Sequence, residues 1–166
     1  MKSASQPPAN DVHTPEVRSY NMSRIRGRDT KPELLIRRGL HARGFRFRLQ
    51  VRELPGRPDL VFPKRCAVLL IHGCFWHGHN CHLFRLPATR SDFWASKIAA
   101  NKARDARASV ALAEVGWRTL TLWECAIRGR ERWPEHEILD ICEAFLNGSA
   151  SSQEVTGRCS RSGSTG

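Results

Sequence analysis

The sequence lacks any run of about 20 apolar residues, the length that a helix needs to cross a bilayer. It also lacks the apolar core of a secretory signal near its first residues, so nothing indicates export, and we expect a cytoplasmic protein without membrane segments. Acidic residues are scarce, because 16 Asp and Glu stand against 27 Lys and Arg, a formal net charge of +11. This excess favours a polyanionic partner, with nucleic acid first, although a protein that is simply basic has the same charge.

Two regions of the sequence are poor in apolar residues. Residues 1–18 are rich in proline and residues 149–166 in serine and glycine, so both are predicted to be disordered arms around one folded domain at 19–148. The last arm contains Cys159, which we expect to be a bystander.

Hydrophobic periodicity between these arms predicts alternating helices and strands. A helix is expected at 31–43, a half-buried strand at 45–51 and a short strand at 59–62. A buried central strand follows at 66–71, a long helix at 91–116, a strand at 117–123 and a last helix from about 134 to 146. This order predicts an α/β sandwich with a mixed sheet. We assign Trp117, Trp123 and the small apolar residues Cys66 and Cys142 to the core.

The sequence has no CxxC pair, but a cluster of cysteine and histidine follows the central strand. Cys74, His79 and Cys81 share one loop, and Cys125 follows the next strand, whose end should lie close by. Three thiolates and one imidazole form the closed tetrahedral set of structural zinc sites. On spacing alone, buried reduced cysteines are an equal alternative, and His77 and His82 compete as ligands.

A second set of polar residues suits a magnesium-dependent reaction. Asp59 opens one strand, and the next strand ends at Ile71 and His72, followed by His77 in the loop. One carboxylate and one backbone carbonyl can hold Mg²⁺ against phosphate, and a nearby imidazole can accept a proton from water. Each residue alone is weak evidence, since a Pro-Asp pair is usually a turn.

Five blocks of the chain, in order, resemble the very-short-patch repair (Vsr) endonuclease family. They are RDT at 28–30, LPGRPD at 54–59, HGCFWH at 72–77, PATR at 87–90 and WEC at 123–125, within a match from about residue 21 to 130. The resemblance implies a restriction-endonuclease-like fold, which is a three-layer core with helices flanking the sheet and one structural zinc site. It also implies a bacterial, nucleoid-associated enzyme that nicks DNA 5′ to the thymine of T:G mismatches left by deaminated 5-methylcytosine.

The resemblance also implies roles for single residues. Asp59 and the main-chain carbonyl of Ile71 would bind magnesium, and the zinc ligands would be Cys74, His79, Cys81 and Cys125. His77 would act as general base, with His72 on the phosphate side. Glu33 and Asp105 would act through metal-bound water or hold the histidines. Phe75, Trp76 and Trp94 would be the wedge that enters the DNA beside the mismatch, and Met22 would complete it from the other groove of the DNA, although core packing is the alternative for Trp94.

Two other functions compete with this one. The first is a restriction-type or general mismatch nuclease, which has less need of an aromatic wedge. The second is a DNA-binding module that is stabilised by zinc and has no catalytic activity, and such a module needs none of Glu33, Asp59, His72 and His77. The family further suggests coupling to the repair factor MutL and to a cytosine methyltransferase, and a single asymmetric nick favours a monomer.

Overall fold

A computed structural model describes residues 29–158 of the protein, and these residues contain a five-stranded mixed sheet. In order across the sheet, the strands are β1 (Arg48–Leu49), β2 (Leu60–Phe62), β3 (Ala67–His72), β4 (Arg118–Trp123) and β5 (Ser152–Val155). The helices are α1 (Lys31–Ala42), α2 (Ser91–Glu114), α3 (Glu124–Ile127) and α4 (Glu135–Asn147). These bounds confirm the predicted α/β class and most of the predicted elements.

The direction of the strands changes at β3. The pairs β1–β2 and β2–β3 are antiparallel, whereas β3–β4 and β4–β5 are parallel. A parallel pair needs a crossover connection, and α2 lies between β3 and β4 in the chain. The β3–β4 register ends with His72 opposite Trp123. The loops that follow the two strands therefore start side by side.

Alternate strand residues face opposite sides of the sheet, so the core has two parts. On one face, Leu69 and Leu120 pack in one cluster with Ile36 of α1 and Ile138 of α4. On the other face, Val61 and Val68 pack against Leu112 of α2. Helices cover both faces, which gives the three layers predicted from the sequence. The finer assignment to the restriction-endonuclease-like fold remains a prediction.

The predicted strand at 45–51 is wrong for most of its length, since only Arg48–Leu49 is paired. The amide of Phe45 donates to the carbonyl of Leu40 at 3.0 Å, so this residue belongs to the turn that ends α1. At the other side, Gln50 has a φ of 45°, which ends the extended backbone. At Phe45, a hydrogen bond within the turn therefore replaces the strand-to-strand hydrogen bonds that the alternation of apolar and polar residues predicted.

The predicted place of Cys66 in a strand is also wrong. This residue is exposed, with a φ of 47°, and its amide donates to the carbonyl of Pro63 at 3.2 Å in the turn before β3. Cys142 is buried in α4, as expected.

The C-terminal region differs most from expectation. Ser152–Val155 form β5, although 149–166 was predicted to be disordered. The edge of β4 supplies the parallel backbone partners, and Val155 adds a buried side chain. A short polar segment can therefore be ordered without a core-forming pattern of its own. The predictions for 1–18, for Met22 and for Cys159 lie outside the described residues. Between residues 29 and 158, no helix combines the length and apolar character of a membrane span.

Candidate active site and metal centre

The four predicted zinc ligands lie together beyond the ends of β3 and β4. One ligand atom from each of Cys74, His79, Cys81 and Cys125 lies within 4.8 Å of all the others. The Nδ1 atom of His79 is 3.6 Å from the sulfur of Cys74 and 3.5 Å from that of Cys125. A tetrahedral zinc with bonds of about 2.3 Å to sulfur and about 2.0 Å to nitrogen separates such ligands by about 3.5 Å. The donor set and its spacing therefore fit zinc.

Hydrogen bonds from the surrounding backbone support the sulfur atoms. The amide of Cys125 donates to the Cys74 sulfur at 3.3 Å, and the amide of Gly157 donates to the Cys125 sulfur at 3.2 Å. The Glu124 carboxylate accepts the amide of Cys74 at 3.1 Å. Burial raises the pKa of both the Cys74 and the Cys125 thiol, so their thiolates need a cation beside them. This need is a second reason why the site fits a metal ion.

The two competing histidines have other partners. His77 Nδ1 is 2.5 Å from a carboxylate oxygen of Asp105, and His82 Nδ1 is 3.1 Å from a carboxylate oxygen of Glu131. Neither histidine belongs to the zinc cluster. Of the three histidines that spacing left open, His79 is the one that lies with the three cysteines, and its role as a zinc ligand stays a prediction.

His72, His77 and Asp105 form a second cluster beside the first. The rings of His72 and His77 are stacked, with centroids 3.9 Å apart and planes 1° apart. Burial, reinforced by the nearby His77, lowers the pKa of His72 to about 4. His72 is therefore neutral at pH 7. Asp105, which the resemblance names as a residue that could hold the histidines, reaches this pair from α2, although 28 residues separate it from His77 in the chain.

Asp59 lies just before β2 and contacts the backbone of β3. Its carboxylate accepts the amide of Ile71 at 2.6 Å. Burial is the main cause that raises the pKa of Asp59 to about 6, and the Glu33 carboxylate raises it further while Arg37 lowers it. Glu33 is 3% exposed and is paired with Arg37 at 2.9 Å. A buried carboxylate near another carboxylate suits a divalent cation.

The two sets of polar residues meet in β3. Ile71 contacts Asp59, and the next residue, His72, stacks on His77. Both sets therefore lie at the same end of the sheet. The predicted role of the Ile71 carbonyl as a metal ligand stays a prediction, since the recorded contact with Asp59 is through the amide.

Three of the four predicted wedge residues form an aromatic cluster. The ring centroid of Phe75 is 5.2 Å from that of Trp76 and 5.4 Å from that of Trp94, and the two tryptophans are 5.9 Å apart. All three are half-buried, and none belongs to the two core clusters. The core alternative for Trp94 is therefore wrong.

Sequence reasoning missed several neighbours of this aromatic cluster. Phe93 is 45% exposed and packs on Trp94 at 5.3 Å, and the Lys97 ammonium lies 5.8 Å from the Trp76 ring. Asn101 donates to the Trp76 carbonyl at 2.8 Å. Phe93, Lys97 and Asn101 are spaced four residues apart on α2, so the 3.6-residue helical period was the signal available to find them.

The assignment of Trp123 to the core was wrong. Its ring is half-buried, stacks on His79 at 4.4 Å and meets the ring of His72 edge-on at 5.3 Å. Trp117 does pack against the α2-side core, in partly buried form. Trp123 ends β4 and stands two residues before the proposed zinc ligand Cys125. This position was the available sequence signal for a place in the site, but the apolar pattern of β4 favoured the core.

One family model and several relatives match this chain. The model described as DNA mismatch endonuclease Vsr matches residues 10–83. The DNA mismatch endonuclease Vsr of Escherichia coli (strain K12) is 44% identical over 145 residues, which cover 87% of this chain and 93% of that protein. The type II nicking enzyme V.XorIIP of Xanthomonas oryzae pv. oryzae is 51% identical over 117 residues, covering 70% and 86%.

A more distant relative agrees with these two. The type II nicking enzyme V.NmeAIP of Neisseria meningitidis serogroup A is 38% identical over 137 residues, which cover 82% of this chain and 91% of its own. The geometry of the two clusters and these matches lead to one conclusion: the chain belongs to the DNA mismatch endonuclease Vsr family.

Proposed function

We propose that this protein nicks double-stranded DNA 5′ to the thymine of T:G mismatches left by deamination of 5-methylcytosine, and so begins very-short-patch repair. Family membership supports the coarser statement that it is a DNA mismatch endonuclease. The observation that carries the chemistry is the His77–Asp105 pair, stacked on His72 at the strand end that also holds Asp59.

His77 is the proposed general base. Asp105 occupies its Nδ1, so Nε2 is the nitrogen that accepts a proton from water. The carboxylate of Asp105 also fixes the ring and stabilises the imidazolium that forms, as in other base–orienter pairs. The water oxygen then bonds to phosphorus, the bond from phosphorus to the leaving deoxyribose oxygen breaks, and that oxygen takes up a proton from solvent.

His72 is the proposed phosphate-side group. Since the pKa of His72 is about 4, its imidazole is neutral at pH 7 and donates a hydrogen bond without carrying a charge. Its stacking on His77 also restricts both rings to parallel planes. A phosphate oxygen held by His72 would therefore stand close to the water held by His77.

The proposed magnesium site consists of the Asp59 carboxylate and the Ile71 carbonyl, with Glu33 bound through water. The half-buried Asp59 carboxyl, with its raised pKa and the neighbouring Glu33 charge, fits a cation site. Bound Mg²⁺ would neutralise charge on the phosphate. Zinc at the four-ligand site is proposed to be structural, because a closed set of three thiolates and one imidazole leaves no position for water.

The aromatic cluster is the proposed source of mismatch selectivity. Phe75 and Trp76 directly precede His77 in the chain, and Trp94 of α2 contacts both of these half-buried rings, so the wedge begins in the loop that carries the base. A mismatched step costs less free energy to unstack than a paired one, and an inserted ring recovers stacking. Met22 remains a proposed partner from the other groove. We also propose that the protein acts as a monomer, coupled to MutL and to a cytosine methyltransferase.

The direct test is nicking of an end-labelled duplex with one T:G mismatch in a methyltransferase-type site, with and without Mg²⁺. Matched T:A and C:G duplexes are the controls, and each strand is labelled in turn. We expect one magnesium-dependent nick, 5′ to the mismatched thymine and absent from both controls. If every duplex were cut, the protein would still be a nuclease, but the proposal that it selects mismatches would be refuted.

A substitution separates chemistry from binding. Asp59→Ala should abolish nicking and leave T:G duplex binding within about threefold, because phosphate contacts and stacking carry most of the affinity. Binding by wild-type protein without any nicking would instead favour a DNA-binding module. Retained nicking by the variant would remove Asp59 from the proposed magnesium site.

A further inference from the structure

The indole ring of Trp123 contacts both histidine clusters at once. It stacks on the proposed zinc ligand His79, with centroids 4.4 Å apart and planes 16° apart. Its edge contacts reach His72 at 5.3 Å and His77 at 6.4 Å, each at an interplanar angle of 74°. The Trp123 side chain therefore contacts the proposed zinc ligand and both proposed catalytic imidazoles, and we call this set of contacts the histidine wall.

The backbone and β5 hold this ring in place. Trp123 is the last residue of β4 and is paired with His72 in the parallel register, so its Cα position is set by the sheet. Its indole N–H donates a long hydrogen bond, 3.4 Å, to the carboxylate of Glu154 on β5. Glu154 is exposed, and its backbone is paired with Thr121 of β4. The segment that the sequence predicts to be disordered thus supplies a hydrogen-bond partner to the Trp123 side chain.

We propose that Trp123, held by Glu154, is a positioning residue that fixes the planes of His72 and His77 relative to the zinc loop. This inference rests on the nuclease function proposed above. A flat ring that meets two imidazoles edge-on and a third face-on limits the rotation of all three. An aliphatic side chain of similar size would fill space but would not hold these angles.

Trp133 provides a matched control. It is also a half-buried tryptophan whose indole N–H donates to the C-terminal segment, at 2.8 Å to the carbonyl of Thr156. It packs against the main core and shows no ring contact with a histidine among the described residues. Trp133→Leu therefore removes an equivalent volume and hydrogen bond without touching the histidine wall.

The experiment compares steady-state nicking of the T:G duplex by wild-type protein and by zinc-loaded Trp123→Leu, Trp123→Phe and Trp133→Leu. We expect Trp123→Leu to lose about 10–100-fold in kcat with KM within about twofold, the size of effect seen when groups around a metal site are removed. Trp123→Phe should recover most of this loss, and Trp133→Leu should keep the wild-type kcat. Equal losses in Trp123→Leu and Trp133→Leu would refute the proposal, because both would then reflect general destabilisation.

A second measurement does not depend on activity. The histidine ring protons of the zinc-loaded protein are recorded by two-dimensional ¹H–¹³C NMR, with His79→Gln and His72→Gln used for assignment. We expect the His79 and His72 signals to move in Trp123→Phe, since the indole ring current is lost, and to stay in Trp133→Leu. Unmoved signals in Trp123→Phe would refute the contact, and this variant keeps an aromatic ring if Trp123→Leu fails to fold. Wild-type protein that never nicks, but shows the shifts, would refute the nuclease proposal and leave the contact intact.

Glu154 is tested by a matched pair of substitutions at its exposed position. Glu154→Gln retains an oxygen that accepts the indole N–H, whereas Glu154→Ala does not. We expect kcat to fall in Glu154→Ala and to remain near wild type in Glu154→Gln. Equal kcat in both variants would remove Glu154 from the proposed arrangement.

Discussion

Asp59→Asn should make the protein more stable while it abolishes nicking. The carboxyl is half-buried, accepts the Ile71 amide and lies within the electrostatic reach of Glu33. Asparagine keeps the shape and an oxygen that accepts the same amide, but it carries no charge. The substitution therefore removes the free-energy cost of a buried anion and spares the hydrogen bond.

The size of this effect follows from the pKa of Asp59, which rises from 3.8 to about 6 on folding. A raised pKa in an acid means that the folded state binds its proton more tightly than the unfolded state. Ionisation then costs the folded state stability as pH rises, by about 1.4 kcal/mol per pKa unit. The cost is about 1.5 kcal/mol at pH 5 and reaches about 3 kcal/mol above pH 6, which is the expected gain of Asp59→Asn.

The assay is urea unfolding of wild type and variant at pH 5, 6, 7 and 8 in magnesium-free buffer without a chelator, since a chelator would also remove zinc. The difference in unfolding free energy should grow from pH 5 to about pH 7 and then stay constant. Glu53→Gln, at an exposed position, is the control and should show little difference at any pH. The buried-charge argument would be refuted if Asp59→Asn were less stable than wild type, or if the difference in unfolding free energy did not change with pH.

Other substitutions test the remaining parts of the site. Cys125→Ser should lower both zinc content and Tm, the latter by at least about 5 °C, because zinc binding is coupled to folding; a fully loaded variant with the wild-type Tm would remove Cys125 from the ligand set. Asp105→Asn should lower kcat about 100-fold or more with little change in KM, since His77 loses the carboxylate that orients it; unchanged kcat in quenched-flow nicking would contradict this role. Gly78→Ala should cost about 1–3 kcal/mol in urea unfolding, because φ is +62° and the new Cβ would lie 2.6 Å from a side-chain atom of α2. Gly44→Ala, with φ of +88° and open space around it, is the control and should cost less.

Short-range spacing and the resemblance grouped the proposed zinc ligands and the two histidines, and the structure also brings these residues close together, because most of them lie on one strand and the loop that follows it. Asp105 entered through the resemblance alone, which illustrates the limit of reasoning from spacing. Its helix carries few buried residues, so no apolar pattern shows which side faces the histidines.

The C-terminal segment was beyond prediction for a different physical reason. β5 has one buried side chain, so its order comes from backbone bonds to β4 and from contacts such as the Gly157 amide on the Cys125 sulfur. Such bonds depend on what the rest of the chain presents, and a polar composition cannot reveal them. Residue type alone also led to the wrong assignment of Trp123, since a large aromatic side chain at the end of a strand is consistent with a place in the core and with a place beside the site.

Spacing also could not decide which histidine of the loop serves which cluster, and the backbone shows how the decision is made. Residues 73–77 form a helical turn, in which the His77 amide donates to the Gly73 carbonyl at 3.1 Å. Gly78 then adopts a φ of +62°, and the His79 amide returns to the Cys74 carbonyl at 2.9 Å, as at the end of a helix. This reversal directs His77 towards Asp105 on α2 and His79 towards the cysteines. Because a side chain at Gly78 would both strain this φ and meet α2, glycine at this position separates two imidazoles that lie only two residues apart.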